Sequence, residues 1–443
     1  RNATTPIAND FGGADTSGFF NSKTLSYNFT TSQEIQRTGG NYFIQFNNSR
    51  VTTSAVSSQL DPEFSNSIRF TFTQPLMRNF SIDASRRAIR IAKKSLDLSD
   101  SQFRQTVINI INSVQRAYWE LVFTIDAERI ARDNVQLALQ QLENNRKMVE
   151  AGTLAPIELR ATEAQLEQNK GNVIVALQNI TIAENVLKGL VLKDPNDKMW
   201  NAVLIPTDKP DLTQVSFNLQ EASSLALKNR PELDQLRLLS EQKDIDIKFY
   251  KNQLKPQLDL FGTYGSNGLA GTPGPGRTIN PQFIGGFFQS FTNLFGQDFR
   301  TYQVGVRISF PWRNRTAEAN YGRSLAEAKQ LDARQRQAVQ DVQIEVRNAL
   351  QAVEAARMRF EAARAGVIAA EAQYAGEQER FRAGLSQNFF VLQRQTDLAI
   401  ARGAELRALT DYNKAIADFQ RVTGMTLVSN NVQVQALPEK DTK

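Results

Sequence analysis

The residue types that most often carry out chemistry in proteins are missing from this chain. Its 443 residues include no cysteine and no histidine. Disulfides, thiolate nucleophiles, Ser-His-Asp triads and zinc sites built on cysteine or histidine are therefore excluded. No GxxxxGK[ST] or GxGxxG segment occurs, so no phosphate-binding loop is recognisable. Carboxylates are plentiful, but none lies in a setting typical of catalysis. The sequence predicts neither an enzyme nor a bound cofactor or metal.

Charge and hydropathy restrict the remaining classes of protein. Lys and Arg total 52 and Asp and Glu total 46, so the net charge is only +6. This small, dispersed excess does not predict a nucleic-acid partner. No apolar run approaches the ~18–20 residues that a membrane-spanning helix needs. We therefore expect that the chain could cross a membrane only as a closed β-barrel. The start at Arg1, with no signal-peptide core, indicates a processed or trimmed N-terminus.

Two Ala-Gly pairs, Ala151-Gly152 and Ala383-Gly384, lie 232 residues apart and mark an internal duplication. Apolar residues alternate at spacings of three and four before each pair and recur every seven after it. The spacing after the first pair gives Leu159, Leu166, Val173, Ile180 and Leu187, whose partners are Val391, Leu398, Glu405, Tyr412 and Phe419. The series before the pairs, over residues 110–149 and 342–381, match in the same way. The repeat extends without a gap over about 80 residues.

The spacing corresponds to a period of 3.5 residues, which is typical of a coiled-coil seam. Each repeat therefore predicts a long helix, a tight turn at glycine and a returning helix. The first helix, over about residues 81–150, would be ~105 Å long. A helix of that length needs neighbours along it, which other copies of the chain can provide. A solitary coiled-coil rod explains the periodicity equally well.

Short segments of alternating polarity accompany the helices. They lie around residues 25–31, 42–46, 68–72, 258–264 and 304–310, with one apolar or aromatic face and one polar face. A membrane barrel needs this pattern, although a soluble sheet with one wet face also produces it. Strands end in proline just before both long helices, which favours the barrel. Residues 53–64 and 266–300 are expected to be long exposed loops.

Two further clusters allow alternative interpretations. Arg86, Arg87, Arg90, Lys93 and Lys94 crowd the start of the first long helix, where the helix dipole disfavours cations. They predict either anionic groups at a membrane rim or a solvated face. Phe283, Phe287, Phe291, Phe295 and Phe299 recur every four residues and form one helical stripe. The stripe predicts either contact with lipid and the barrel mouth or the small core of a folded loop.

Several segments in this order resemble the TolC-like outer-membrane efflux proteins over nearly the whole chain. Residues 219–233, from Leu219-Gln220-Glu221-Ala222 to Asn229-Arg230-Pro231-Glu232-Leu233, are similar to the LxEAxxxALxNRPEL signature that opens a repeat. Residues 256–260 resemble the start of an outgoing strand, and 73–76 the end of a returning one. Only one copy of the signature is present, so the resemblance implies that the first helices are missing from this chain.

The resemblance implies a mainly α-helical protein with some β structure. Its long coiled-coil hairpins form a trimeric periplasmic tunnel, and its strands form a shared transmembrane β-barrel. The implied division is residues 1–80 for the first strands and loops, 81–193 for the first hairpin, 194–255 for an equatorial linker and opening helices, 256–312 for the second strands and loop, 313–424 for the second hairpin, and 425–443 for a tail.

The resemblance also implies two kinds of functional site. The glycine turns, Gly152-Thr153-Leu154 and Gly384-Leu385-Ser386, would be the periplasmic tips that dock an adaptor. The best-known family member narrows its tunnel with acidic rings at the sixth and ninth positions after the second glycine. Those positions are Phe390 and Gln393 here. Phe389 and Phe390 therefore predict a hydrophobic gate, with Gln393 beside it.

The function implied is passive export through a duct in the bacterial outer membrane that extends into the periplasm. Such a duct serves a tripartite efflux or type I secretion system. The expected partners are two further copies of the chain, a periplasmic adaptor, outer-membrane lipid and, indirectly, an inner-membrane pump. The alternative is a soluble coiled-coil scaffold or a periplasmic adaptor protein.

Overall fold

The computed structural model describes residues 2–6, 19–55, 57–208 and 218–434. The strands are β1 (Asn2–Pro6), β2 (Phe19–Ile35), β3 (Gly40–Thr53), β4 (Leu60–Pro75), β5 (Gln257–Pro273) and β6 (Arg300–Ser309). The helices are α1 (Ala84–Glu150), α2 (Ile157–Val191), α3 (Leu219–Asn229), α4 (Pro231–Gln253), α5 (Phe287–Phe295), α6 (Arg315–Arg382), α7 (Asn388–Val422) and α8 (Thr426–Ser429). The protein is thus mostly helical with one sheet.

The sheet belongs to a compact unit formed by residues within 1–95 and 240–330. Its strands are antiparallel in the order β1-β2-β3-β4-β5-β6. The pairing of β4 with β5 joins Leu60 to Pro273 at one end and Pro75 to Asp259 at the other. In the described part of the chain, β1 and β6 are the edge strands. Exposed edges of this kind are normally covered or paired.

One face of the sheet is apolar and aromatic, as the alternation predicts. Cross-strand pairing places Ile44, Phe70, Tyr264 and Tyr302 in one row across β3–β6. The next row, which faces the other way, includes polar residues such as Thr71. The apolar residues of β6 are largely exposed, namely Tyr302, Val304, Val306 and Ile308. The apolar face of this edge strand therefore has no cover within the chain.

The strands are longer than the sequence predicts. Residues 60–64 and 266–273, expected to be exposed loop, are parts of β4 and β5. The Gly- and Ser-rich end of β5 resembles a loop in the sequence, but small residues there have a packing role. A Cβ atom at Gly268 would lie 2.0 Å from the Ser290 carbonyl oxygen. Glycine therefore allows α5 to approach the sheet closely.

Helix α5 packs on the apolar face of the sheet. The ring of Phe287 lies 6.1 Å from that of Phe64, and the ring of Phe291 lies 5.9 Å from that of Phe46. Beneath them Ser290 accepts a hydrogen bond from the Asn66 side chain at 2.6 Å. The folded-loop interpretation of the phenylalanine stripe is therefore correct for these two rings.

The rest of the stripe behaves differently. Phe295 on α5 is 69% exposed. Phe288, which follows Phe287 and does not belong to the stripe, is 82% exposed. Phe283 and Phe299 lie outside α5 and contact each other in a tilted arrangement, with their ring centres 5.4 Å apart. The five residues therefore do not form one continuous helical stripe.

The second compact unit, within residues 96–239 and 331–443, contains α2, α7 and the greater part of α1 and α6, which form the helical hairpins. The seam of the first hairpin buries Ala138, Leu142 and Leu166 in one cluster, and another cluster is centred on Leu121 and Leu187. The second hairpin buries Val342, Val346, Val353, Ala356, Tyr412, Phe419 and Val422 together with two alanines of α3. Apart from Val422 and the two α3 alanines, these residues belong to the predicted seam, and their burial confirms the seam at these positions. Ile110 is an exception, because it is exposed.

Helix α2 corrects the expectation about membrane-spanning helices. Among the described residues it is the one helix long and apolar enough to cross a membrane by length and composition alone. The charged residues Glu184 and Lys188 interrupt its apolar run, and this hid the segment in the sequence. The inward seam of α2 packs against α1, and an outward stripe is formed by Ile174, Ile182, Val186 and Leu190.

The linker and the tail are described only in part. Residues 194–208 follow the first hairpin, and the Lys188 ammonium donates hydrogen bonds to the carbonyls of Trp200 and Ala202 at 3.0 and 2.6 Å. The remainder of the linker up to residue 217, and the tail beyond residue 434, lie outside the described residues. Helix α8 is the described part of the tail.

Most of the cations at the start of α1 have anionic partners within the chain. Arg86 is buried and donates to the Asp83 carboxylate at 2.6 Å. Arg87 donates to Asp246 at 2.8 Å, and Lys94 forms a third ion pair. The solvated-face interpretation is therefore wrong for these three residues, because acidic side chains offset the unfavourable helix dipole.

Candidate functional site

The first glycine turn closes α1 with a Schellman motif. The Gly152 N–H donates to the Val149 carbonyl at 3.0 Å, and the Thr153 N–H donates to the Met148 carbonyl at 2.9 Å. This pattern requires a left-handed residue after the helix, and Gly152 has φ +74°. Glycine adopts that conformation without the steric cost that a Cβ atom brings.

The second turn repeats these hydrogen bonds at the same offset. The Gly384 N–H donates to the Phe381 carbonyl at 3.0 Å, and the Leu385 N–H donates to the Arg380 carbonyl at 2.9 Å. Gly384 has φ +73°. The sequence duplication is therefore also a duplication of backbone structure, and the chain reverses direction in the same way in both hairpins.

Both turns present open surfaces. A Cβ atom at Gly152 or Gly384 would meet nothing within 4 Å. Leu385 is 80% exposed, whereas Leu154 and Ser386 are half-buried. Ser386 donates a hydrogen bond to the Glu377 carboxylate. Each tip thus combines a rigid hydrogen-bonded turn with an accessible surface, so a partner could bind without rearranging the helices.

The residues of the predicted gate lie on the exposed side of the first turns of α7. Phe389 is 63% exposed and Phe390 is 47% exposed, and their rings meet edge to face at 5.5 Å. The residues on either side, Asn388 and Val391, are buried. Within one chain, then, neither ring packs between helices, and both are available to a neighbouring copy or to an aqueous passage.

The polar group beside this pair is hydrogen-bonded to a charged neighbour. The Gln393 amide donates to the Asp397 carboxylate at 3.0 Å. Arg394 forms an ion pair with the same carboxylate, also at 3.0 Å. The negative charge one turn from Gln393 is therefore compensated inside the chain, which reduces its capacity to bind cations.

A buried polar network, which sequence reasoning missed, holds the start of α7 against the first hairpin. The Asn388 side-chain oxygen accepts from Asn145 at 2.9 Å and from Gln141 at 3.4 Å. The Asn388 amide nitrogen donates to Thr162 at 3.1 Å and to the Glu158 carboxylate at 3.3 Å. Because Asn388 directly precedes the phenylalanine pair, the network fixes the position of the predicted gate.

One signal in the sequence could have revealed this network. The apolar series of α1 jumps from Leu142 to Val149, and Asn145 occupies the missing step. A single asparagine at a core position of a coiled coil commonly fixes its register. The partners come from three distant segments, however, so the sequence alone does not show that they meet.

A second polar contact joins α1 to α7. The Glu120 carboxylate accepts from the Lys414 ammonium and from Arg407 at 3.1 Å. Burial alone would raise the pKa of Glu120. The hydrogen bonds and positive charges of Lys414 and Arg407 outweigh burial and hold the pKa below its ordinary value. Arg407 also lies 5.1 Å above the Phe123 ring.

A cleft of about 470 Å³ separates the two hairpins where α1, α6 and α7 meet. Its lining includes Asp133, Tyr374, Leu398 and an ion pair between Arg402 and Glu371 at 2.7 Å. Burial raises the pKa of the Tyr374 hydroxyl above its ordinary value. The cleft is amphipathic, and the described residues contain no cluster of three acidic side chains that could hold a metal ion.

The sequence matches the family model described as "Outer membrane efflux protein" over residues 42–191 and 222–425. These two ranges make up most of the chain. The chain belongs to the outer membrane efflux protein family. Both glycine turns, the phenylalanine pair and the buried network lie within the matched ranges. This membership makes the protein an efflux channel component of the outer membrane, and it confirms the resemblance inferred from the sequence. No curated protein sequence matches the chain.

Solved structures of outer-membrane channels share the fold of this outer membrane efflux protein. The channel CmeC of Campylobacter jejuni is 16% identical, with a TM-score of 0.63 over 91% of this chain and 78% of that one. VceC of Vibrio cholerae is 14% identical, with a TM-score of 0.65 over 91% and 87%. The open state of MtrE of Neisseria gonorrhoeae is 17% identical, with a TM-score of 0.62 over 91% and 81%.

The signature that first indicated the family has a structural role in this efflux protein. Arg230 is buried and forms ion pairs with Glu232 at 3.0 Å and with Glu345 of α6. Burial alone would lower the pKa of Arg230, but these two carboxylates raise it. The signature thus anchors the junction of α3 and α4 to the second hairpin.

Proposed function

We propose that three copies of this chain form a passive export duct whose sheets share one barrel in the outer membrane and whose helical hairpins form a tunnel in the periplasm. The duct would receive small molecules or proteins from an inner-membrane pump through a periplasmic adaptor. The observation that carries this proposal is the uncovered apolar face of β6 on an edge strand. A lipid-facing barrel strand needs such a face, and its free edge would pair with a strand of the next copy.

The number of strands supports a barrel that is shared between copies of the chain. Four strands, β3–β6, lie within or almost within the family match, and three copies would supply twelve. The six strands in the described part of one chain are too few to close a water-filled barrel. Strands β1 and β2 lie outside the matched residues. Because β2 pairs with β3 in the same sheet, all six described strands would give eighteen in three copies.

The outward stripe of α2 supports the oligomer independently. Ile174, Ile182, Val186 and Leu190 recur at helical spacing and are exposed in a single chain. An apolar stripe of this kind normally packs against a partner. We infer that it contacts a helix of the next copy in the tunnel wall.

We assign adaptor docking to the two glycine turns and gating to Phe389 and Phe390, with Gln393 beside them. The turns are rigid and accessible, which suits docking. Three copies of an exposed aromatic pair around one axis would form a ring that blocks ions by dewetting. The hydrogen bond and ion pair of Asp397 leave little free negative charge for a cation-binding ring there.

The alternative functions are less well supported. A soluble coiled-coil scaffold does not need a sheet with a lipid-like face. An adaptor would belong to another family of proteins. The family membership and the strand-to-helix junctions both favour the duct.

Oligomeric mass and export test the proposal together. Light scattering of the detergent-purified protein should give three times 49.7 kDa. Ile182→Glu/Val186→Glu, which places charges in the outward stripe of α2, should reduce the trimer. Deletion of the gene should raise the accumulation of efflux dyes in the cell, and the gene on a plasmid should reverse this. A stable monomer, or unchanged accumulation of every dye tested, would contradict the proposal.

A further inference from the structure

A basic pocket lies where the strands meet the helices. Arg90 of α1, Lys248 and Lys251 of α4, and Lys255 just after α4 line a pocket of about 280 Å³, together with Ser81, Ile82 and Asn252. The lining contains four cations and no carboxylate. A compact anion bound there would interact with several positive charges at once.

These four cations form no ion pair with an acidic side chain in the described part of the chain. The other cations nearby, on the same helices, do form such pairs. Arg87, Lys94 and Lys243 are each held by a carboxylate within 4 Å. Asp246, a carboxylate of the same α4 segment, is shared between Arg87 and Lys243. Asp83, Glu241 and Asp246 are therefore engaged by other cations, and no carboxylate lies in the pocket lining to offset its positive charge.

The floor of the pocket is rigid. Asn252 is buried, accepts from the Asn79 N–H at 2.7 Å and donates to the Ser81 hydroxyl at 3.1 Å. Gln253 donates to the Asn79 side chain at 2.8 Å. These bonds tie the end of α4 to the segment that follows β4. The cations are thus mounted on a fixed base, where an anion can bind without first ordering the backbone.

The position of the pocket indicates the source of the anion. Strand β4 ends at Pro75 and β5 begins at Gln257, so the pocket adjoins the helix-side ends of both strands. Exposed apolar and aromatic residues occupy the same strand–helix junctions, namely Leu76, Phe80, Phe310 and Trp312. Aromatic residues concentrate at the level of the lipid headgroups. If the sheet lies in the membrane, as proposed above, the pocket faces the headgroups of the periplasmic leaflet.

We propose that this basic pocket binds the phosphate of an anionic phospholipid headgroup. Basic pockets at a membrane surface bind such headgroups, and each Lys or Arg contributes to the affinity. The bound lipid would offset the positive charge at the helix start and would fix the depth of the barrel in the bilayer. This inference rests on the proposed placement of the sheet in the membrane.

The test is native mass spectrometry of the detergent-purified trimer titrated with short-chain phosphatidylglycerol. Lys251→Gln/Lys255→Gln should weaken lipid binding by about thirtyfold, since two surface charges are removed. The control Lys193→Gln/Lys329→Gln removes two exposed lysines outside the pocket and should bind like the wild type. Equal affinity in the wild type and both double variants would overturn the proposal. Complete displacement of the lipid by an equal concentration of inorganic phosphate would also overturn it, because the pocket would then be a free-anion site.

Channel activity of the same preparations separates this inference from the proposed function. Trimers that conduct, but whose lipid affinity is unchanged by the Lys251 and Lys255 substitutions, would contradict only the proposed lipid binding. Trimers that bind the lipid through these lysines but never conduct would support the pocket and contradict the duct.

Discussion

The Asn145 side chain donates a hydrogen bond to the Asn388 side-chain oxygen at 2.9 Å and so joins the first hairpin to the first residue of α7. Both side chains are almost completely buried. Asn388→Ala would leave Asn145 and Gln141 without their shared acceptor, and a buried unsatisfied group costs about 1–3 kcal/mol. We expect a lower melting temperature and a higher open probability of the channel. Gln387→Ala changes the exposed neighbouring residue, whose side chain makes no capping bond, and should leave both quantities unchanged. Equal effects of the two substitutions would show that the network does not hold the gate.

Bulky residues at the glycine turns should separate docking from folding. Gly152→Leu and Gly384→Leu meet no neighbouring atoms, so their structural cost is the left-handed backbone strain of about 1–2 kcal/mol each. We expect the trimer to persist while efflux in complemented cells is lost. Gly366→Leu places the same side chain at an open glycine within α6, away from the turns, and should retain efflux. Normal efflux with both turns substituted would make the docking assignment wrong.

Phe389 and Phe390 should restrict the passage through their apolar rings. Phe389→Ala/Phe390→Ala should raise single-channel conductance, because six aromatic side chains would leave the constriction of a trimer. Divalent cations should block the wild-type channel poorly, since Asp397 is already paired with Arg394. Unchanged conductance, or tight divalent block that disappears with Gln393→Ala, would contradict a hydrophobic gate.

The contact between Glu120 and Lys414 should weaken in acid. The folded-state pKa of Glu120 lies below its ordinary value of 4.5. The stabilisation is therefore fully present above pH 4.5 and is lost as the pH falls through the folded-state pKa. Glu120→Gln should melt earlier than the wild type at pH 7, and the difference should shrink toward pH 3. A difference that stays constant over this range would exclude an electrostatic role for Glu120.

The sequence predicted the parts of the fold that repeat with a fixed period. Buried seam residues such as Val346, Val391 and Leu398 were predicted because apolar spacing along a helix depends only on helical geometry. The glycine turns were predicted for a similar reason, because a residue that ends a helix in the left-handed backbone conformation is most often glycine. Local rules therefore determine the hairpins and their ends.

Features that depend on distant segments could not be predicted in the same way. The end of β5 looked like a loop because it is rich in small residues. These residues allow close contact with α5, which lies about twenty residues further along the chain. The Asn388 network joins three helices, and the basic pocket combines residues of α1 and α4. Such meetings depend on tertiary pairing, which no period in the sequence encodes. The docking and gating roles of the tips remain predictions.

The central claim, that the assembled protein is a water-filled duct, is tested most directly by current through a planar lipid bilayer. We predict that detergent-purified trimers insert and produce discrete current steps of uniform size that increase in proportion to salt concentration. Trimers of the expected mass that insert and never produce such steps, in the wild type or in Phe389→Ala/Phe390→Ala, would contradict the account.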